Sequence, residues 1–285
     1  MLTRIGVVGC GLMGSGITEV CARAGLEVTV CEQDEAALAA GRRRVETSLA
    51  RAVGRSKLSG ADRDRALELL TFTTSMDALA DREIVVEAVV EEEGAKVEIF
   101  TVLDKVVENP AAVLASNTSS IPIMKLAMAT ARPEQVVGIH FFNPVPVLRL
   151  VELVPSLLTS EKTEQVARDF AGEQLGKLVV ASKDRAGFVV NALLIPYLLS
   201  AVRMFESGFA TAEDIDVGMV EGCAHPMGPL ALSDLIGLDT VQAVAGSMYE
   251  EFKEPLYAPP PLLSRMVEAG LLGRKSGQGF FAYPG

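Results

Sequence analysis

Tryptophan is absent from this 285-residue chain, histidine occurs twice and cysteine four times. With only His140 and His225, and no Cys-x-x-Cys spacing among Cys10, Cys21, Cys31 and Cys223, neither a metal site nor a disulfide framework is expected. The first three cysteines lie in apolar runs, where a free thiol behaves as a small hydrophobe. Long apolar runs are missing as well. The longest, Phe188 to Val202, is interrupted by Asn191, Pro196, Tyr197 and Ser200 and falls short of the roughly 20 apolar residues that a membrane span requires. It reads as a buried helix. Arg4 leads straight into a strand-like segment with no signal-peptide pattern, so a cytoplasmic location is expected. Positive charge is scarce, 26 Lys and Arg against 37 Asp and Glu, for a net charge of −11. Such a balance argues against nucleic acid or an anionic membrane as a partner of the whole surface.

What is present is the composition of an ordinary soluble protein, 49% hydrophobic and 22% charged, in a chain long enough for two domains. Short β-branched runs recur through the first 180 or so residues: Ile5–Val8, Val28–Cys31, Ile84–Val90, Val113–Ala115, Val136–Phe142, Leu148–Val154 and Leu178–Val180. Helical patterns separate them, which implies crossover units and a mostly parallel sheet covered on both faces. Beyond about Lys183 the runs stop and the pattern turns helical, punctuated by Gly208, Gly222, Pro226, Gly228, Pro229 and Pro259 to Pro261. The expectation is an α/β domain over 1–183 and an all-helical domain over 184–285.

Gly9-Cys10-Gly11-Leu12-Met13-Gly14 follows the first strand and opens a helix expected to reach about Ala24. Its first glycine permits the tight turn, its second lets a pyrophosphate approach the backbone, and its third lets helix and strand pack closely. The helix N-terminus then offers free N–H groups to phosphate. Such a motif is weak alone, but here Glu32 ends the second strand 18 residues past Gly14, where a carboxylate can accept hydrogen bonds from the ribose hydroxyls. A Rossmann-type, doubly wound sheet binding NAD rather than NADP is expected, because Glu32 repels a 2′-phosphate and neither Gln33 nor Asp34 supplies a cation.

Alcohol oxidation by a nicotinamide needs a group to take the hydroxyl proton, and histidine suits that task near neutral pH. His140 lies at the end of an apolar run before Asn143-Pro144-Val145-Pro146, at the sheet edge where ligands bind in open α/β folds. His225, in Cys223-Ala224-His225-Pro226, sits in an apparent interhelical turn. Position favours His140, although an isolated strand-end histidine is more often structural. A carboxylate on the second ring nitrogen improves such a base. Glu152, inside the apolar Leu148–Val154 run, is the candidate; a solvent-facing strand residue is the alternative.

Four segments make the reading specific: Ser116-Asn117-Thr118-Ser119-Ser120, His140-Phe141-Phe142-Asn143-Pro144-Val145-Pro146, Leu150-Val151-Glu152-Leu153 and Gly187-Phe188-Val189-Val190-Asn191. Together they resemble the 3-hydroxyacyl-CoA dehydrogenase family, and within it the short-chain 3-hydroxybutyryl-CoA dehydrogenases, over essentially the whole chain. The resemblance implies His140 as general acid/base, Glu152 as its orienting partner, and Ser119 and Asn191 as groups holding the reacting oxygen and the thioester end. It also implies cofactor contacts from Glu91, Lys96 and Asn117, beside Gly9, Gly11, Leu12, Met13, Gly14 and Glu32 of the fingerprint. Asn191 is expected one turn into a helix starting near Ala186, as a buried amide. The (S) alcohol is implied by the family alone.

One local exception to the acidic balance fits that implication. Residues 42–65 carry Arg42, Arg43, Arg44, Arg51, Arg55, Lys57, Arg63 and Arg65 against Glu46, Asp62 and Asp64. Ser48 and Arg55 are two turns apart on one helix face and match family positions that contact coenzyme A, with arginine standing where lysine is more usual. A solvated helix face is the plain alternative. The expected partner is an acyl-CoA substrate. The helical domain, richer in apolar residues than its own core needs, is expected to bind substrate and form a homodimer. Two competing readings are a related dehydrogenase acting on a carrier-protein-bound hydroxyacyl group and a catalytically silent NAD-binding protein.

Overall fold

The computed structural model describes residues 1–283. The chain divides into two compact units, Met1–Asp184 and the remainder from Arg185 onward. In the first unit eight strands form one sheet: β1 (Arg4–Val8), β2 (Glu27–Cys31), β3 (Leu70–Thr73), β4 (Ile84–Glu87), β5 (Val113–Ser116), β6 (Val136–Phe141), β7 (Leu150–Pro155) and β8 (Leu178–Ala181). Their spatial order is β3-β2-β1-β4-β5-β6-β7-β8. Neighbours run parallel except β6 and β7, which are antiparallel. Six helices accompany the sheet: α1 (Leu12–Arg23), α2 (Glu35–Gly54), α3 (Gly60–Glu68), α4 (Glu93–Val106), α5 (Ile123–Ala127) and α6 (Glu161–Asp169).

Alternation along the strands sets the two faces. Ile5 and Val7, Ile84 and Val86, Val113 and Ala115, Val137, Ile139 and Phe141, and Val151 and Leu153 all join one core with Ile17 and Cys21 of α1 and Val45 and Leu49 of α2. Residues between them, His140 and Glu152 included, therefore point to the opposite face. The doubly wound class expected from the sequence is the class observed, with differences that have physical reasons. β3 is an additional strand on the sheet edge; its Leu-Thr-Phe-Thr is too short and too exposed to stand out as an apolar run. The run Ile84–Val90 is strand only through Glu87. Its last three residues form a loop at the carboxyl edge.

The second unit is helical: α7 (Val190–Glu206), α8 (Ala212–Cys223), α9 (Pro229–Ile236), α10 (Leu238–Phe252) and α11 (Pro261–Glu268). Leu198, Leu199, Val202, Leu230, Leu238, Val241 and Met248 form its fully buried centre. α7 starts four residues later than the expected Ala186, because Gly187 (φ 82°) and Phe188 (φ 45°) are left-handed and break the helical run. No helix among the described residues is long and apolar enough to cross a membrane.

Candidate active site

Because β1, β2, β4, β5 and β6 are parallel, their carboxyl ends share one edge, and the strand order reverses beside β1, where β2 lies on one side and β4 on the other. A cleft of about 590 Å³ opens there, lined by Val8, Gly9, Gly11, Glu32 and Ala88 to Val90 among others. A ligand crevice belongs at this switch point of an open α/β sheet. Gly9 takes φ 86°, and a Cβ on Gly14 would lie 1.9 Å from the Gly9 carbonyl oxygen, so these glycines are required by the turn itself. A Cβ on Gly11 would meet nothing within 4 Å. Gly11 thus leaves open space beside the α1 N-terminus, which has no side-chain cap and no acidic residue in its first turn. The first backbone bond of this helix runs from Ser15 N–H to the Gly11 carbonyl, so the preceding N–H groups of Leu12, Met13 and Gly14 have no intrahelical acceptor. Glu32 accepts from Cys10 N–H at 2.5 Å, which locks the acid to the glycine loop. An open backbone cradle, unsatisfied helix N–H groups and a carboxylate at the end of β2 fit a dinucleotide.

The reversal of β7 places Glu152 directly across from His140 in the ladder. The imidazole Nδ1 lies 2.8 Å from Glu152 Oε2, with Glu152 fully buried and His140 only 6% exposed. A carboxylate in its ionised form can only accept, so ionised Glu152 selects the tautomer with the ring proton on Nδ1. The Phe142 ring packs at 4.5 Å, tilted by 56°, against the imidazole. Asn117 Oδ1 accepts from Phe141 N–H at 2.9 Å, tying the end of β5 to the end of β6.

A second network centres on Glu87, which was not singled out from the sequence. Glu87, the last residue of β4, is wholly buried and accepts from Ser116 Oγ at 2.6 Å, from Val89 N–H at 2.7 Å and from Lys96 Nζ at 2.6 Å. Lys96 is itself 1% exposed, and its ammonium also reaches Glu91 Oε2 at 3.3 Å. The other oxygen of Glu91 gathers the Ser119 loop: Thr118 Oγ1 at 2.6 Å, Ser119 N–H at 2.8 Å, Ser120 Oγ at 3.0 Å and Ser119 Oγ at 3.3 Å. Desolvation pushes the Glu91 carboxyl upward, but Lys96 and these hydrogen bonds outweigh it and hold the group below the ordinary carboxylate value. This tie is fully present above that ordinary value and is lost as pH falls through the lowered one. Ser119, expected on the substrate side, and Glu91 and Lys96, expected as cofactor contacts, are one hydrogen-bonded assembly. A carboxylate inside an apolar strand was the available signal for Glu87.

A further cleft of about 790 Å³ lies between α1, α2 and Asn143 to Pro146, lined by Ser48, Arg43, Arg44 and Arg51. Arg55 does not line it: α2 ends at Gly54, and Arg55 is an exposed cap residue. Of the positive island, Arg43, Arg44 and Arg51 are thus the cationic residues at this cleft. In the second unit Asn191 lies in the first turn of α7 and is half-buried rather than buried. His225 is half-buried, its Nδ1 3.1 Å from the Tyr197 hydroxyl, and among the described residues no carboxylate pairs with it as Glu152 does with His140.

Comparison with known proteins extends these observations. Residues 4–185 match the family model for the 3-hydroxyacyl-CoA dehydrogenase NAD binding domain, and residues 187–283 match that for the 3-hydroxyacyl-CoA dehydrogenase C-terminal domain. A 3-hydroxybutyryl-CoA dehydrogenase of Mycobacterium tuberculosis is 63% identical over 282 residues, covering 99% of each chain. The human mitochondrial hydroxyacyl-coenzyme A dehydrogenase is 41% identical, over 99% of this chain and 92% of its own length. The crystal structure of an (S)-3-hydroxybutyryl-CoA dehydrogenase from Ralstonia eutropha superposes with a TM-score of 0.94 at 44% identity, covering 100% of both chains. With both units matched in order and identity sustained across them, the chain belongs to the 3-hydroxyacyl-CoA dehydrogenase family.

Proposed function

We propose that this protein interconverts (S)-3-hydroxyacyl-CoA and 3-ketoacyl-CoA with NAD, with 3-hydroxybutyryl-CoA and acetoacetyl-CoA as its preferred pair. The observation that carries this reading is the buried His140–Glu152 contact at 2.8 Å, set by strand register. The names of its relatives support the substrate class. Bound NAD supplies the acceptor for the hydride of the carbinol carbon. His140 Nε2 takes the hydroxyl proton, and the Glu152 charge stabilises the resulting imidazolium; in the reverse direction the imidazolium returns the proton to the ketone oxygen.

Gly9, Gly11, Leu12, Met13 and Gly14 receive the pyrophosphate, and Glu32 receives the adenosine ribose. Lys96 holds Glu91, and Glu91 holds the loop bearing Ser119, so these two serve the cofactor side as a linked pair with Asn117. Ser119 and Asn191 position the reacting oxygen and the thioester end. Ser48 and the arginines of the second cleft take the coenzyme A end. The second unit supplies a homodimer interface, for which the exposed apolar Leu193 (74%) of α7 and Val217 (59%) of α8 are the support.

Steady-state kinetics should give NADH a higher kcat/KM than NADPH, because Glu32 opposes a 2′-phosphate; a preference for NADPH contradicts the assignment of Glu32. Light scattering at micromolar concentration should report the mass of two chains, and a monomer would overturn the interface. Positioned acid–base catalysis contributes about 10²–10⁴ in rate, so His140→Gln should lower kcat by at least about two orders of magnitude. NADH affinity, read by fluorescence titration, should be retained in that variant. Glu152→Gln should lower kcat by roughly one to three orders, while His225→Gln stays within a few-fold of wild type. Loss of turnover in His225→Gln with activity kept in His140→Gln would place the proton route elsewhere.

A further inference from the structure

Arg44 stands where the two clefts of the first unit meet. It lines the cleft at the glycine loop and also the one between α1, α2 and Asn143 to Pro146. Ala40, one turn earlier on α2, is the other residue common to both, so Arg44 is the charged side chain they share. Arg43 and Arg51 line the second cleft alone, and Glu32 the first alone.

The bonding of Arg44 leaves most of its donors unused. Arg4 and Arg82 pair with Asp81, and Arg132 pairs with Asp104. Among the described residues no carboxylate pairs with Arg44, whose polar contact is a long bond from Nη1 to the Cys10 carbonyl at 3.3 Å. That carbonyl belongs to the glycine loop, so the tether keeps the guanidinium at the rim. A guanidinium carries five N–H donors in a rigid fork suited to phosphate, and one carbonyl uses one of them. An exposed arginine with donors to spare, between two clefts that each take a phosphate-bearing ligand, has an anion to bind on either side.

We propose that Arg44 is a shared anchor, donating to the phosphate oxygens of the dinucleotide from one cleft and to those of coenzyme A from the other. The proposal rests on the reading that the second cleft takes the coenzyme A end of the substrate. It makes Arg44 a binding residue for both ligands of the reaction, distinct from Glu32, which serves one, and from Arg51, which serves the other.

Equilibrium binding of each ligand alone to the full chain tests this, with NADH followed by its fluorescence and free coenzyme A by calorimetry. Losing charge-assisted hydrogen bonds to phosphate should raise both dissociation constants of Arg44→Gln by about tenfold. Arg44→Lys, which keeps the charge without the fork, should fall between it and wild type for both. Arg51→Gln should weaken coenzyme A by a similar factor and leave NADH unchanged. If Arg44→Gln shifts one ligand or neither while Arg51→Gln still weakens coenzyme A, the shared anchor is wrong and the second-cleft reading stands. If both variants bind coenzyme A as wild type does, the second-cleft reading fails together with the anchor.

Discussion

A carboxylate in the middle of a strand, with no exposed surface, is costly to bury without a partner, and Glu152 meets that condition through His140. The arrangement depends on one topological event. β7 is antiparallel to β6, so the two residues face each other across the ladder, on the side of the sheet opposite to the core that takes Ile139, Phe141, Val151 and Leu153. A one-residue slip of β7 would turn Glu152 into that core and away from His140. The alternating apolar neighbours therefore secure the pair, and the pair fixes the ring tautomer that proton transfer needs.

The same logic repeats one strand over with an ion pair. Glu87 and Lys96 are 0% and 1% exposed, and together with Ser116 they satisfy a carboxylate in the interior. Removing one partner of such a buried pair strands the other charge, typically at about 3–5 kcal/mol. Glu87 ends β4 beside Ser116 at the end of β5, and Lys96 links it to Glu91 and hence to the Ser119 loop. The positions of Ser119 and of the loop from Ala88 to Val90 are thus coupled to one interior network rather than to separate surface turns.

Much of this was legible in the sequence, for stated reasons. The glycine fingerprint with Glu32 has fixed spacings imposed by backbone geometry, and His140 and Glu152 stand out as polar residues in apolar runs. Glu87 carries that second signal too, yet it lay inside the run Ile84–Val90, which reads as one continuous strand although only Ile84–Glu87 is ladder. The edge strand β3 has too few apolar residues to register. Asn191 was expected one turn into a helix from Ala186, and that helix starts later, because α7 waits for two left-handed residues. Termini depend on local backbone conformation that apolar periodicity does not encode.

The central claim is that Glu152 holds His140 as the Nδ1–H tautomer, with Nε2 as the proton-transfer atom. The chain has only two histidines, so ¹⁵N-detected NMR of the imidazole nitrogens can be assigned by comparison with His225→Gln. At a pH where the His140 ring is neutral, the wild-type spectrum should show a protonated Nδ1 and an unprotonated Nε2, and Glu152→Gln should lose that bias. A neutral His140 ring protonated at Nε2 in the wild-type protein would contradict the account.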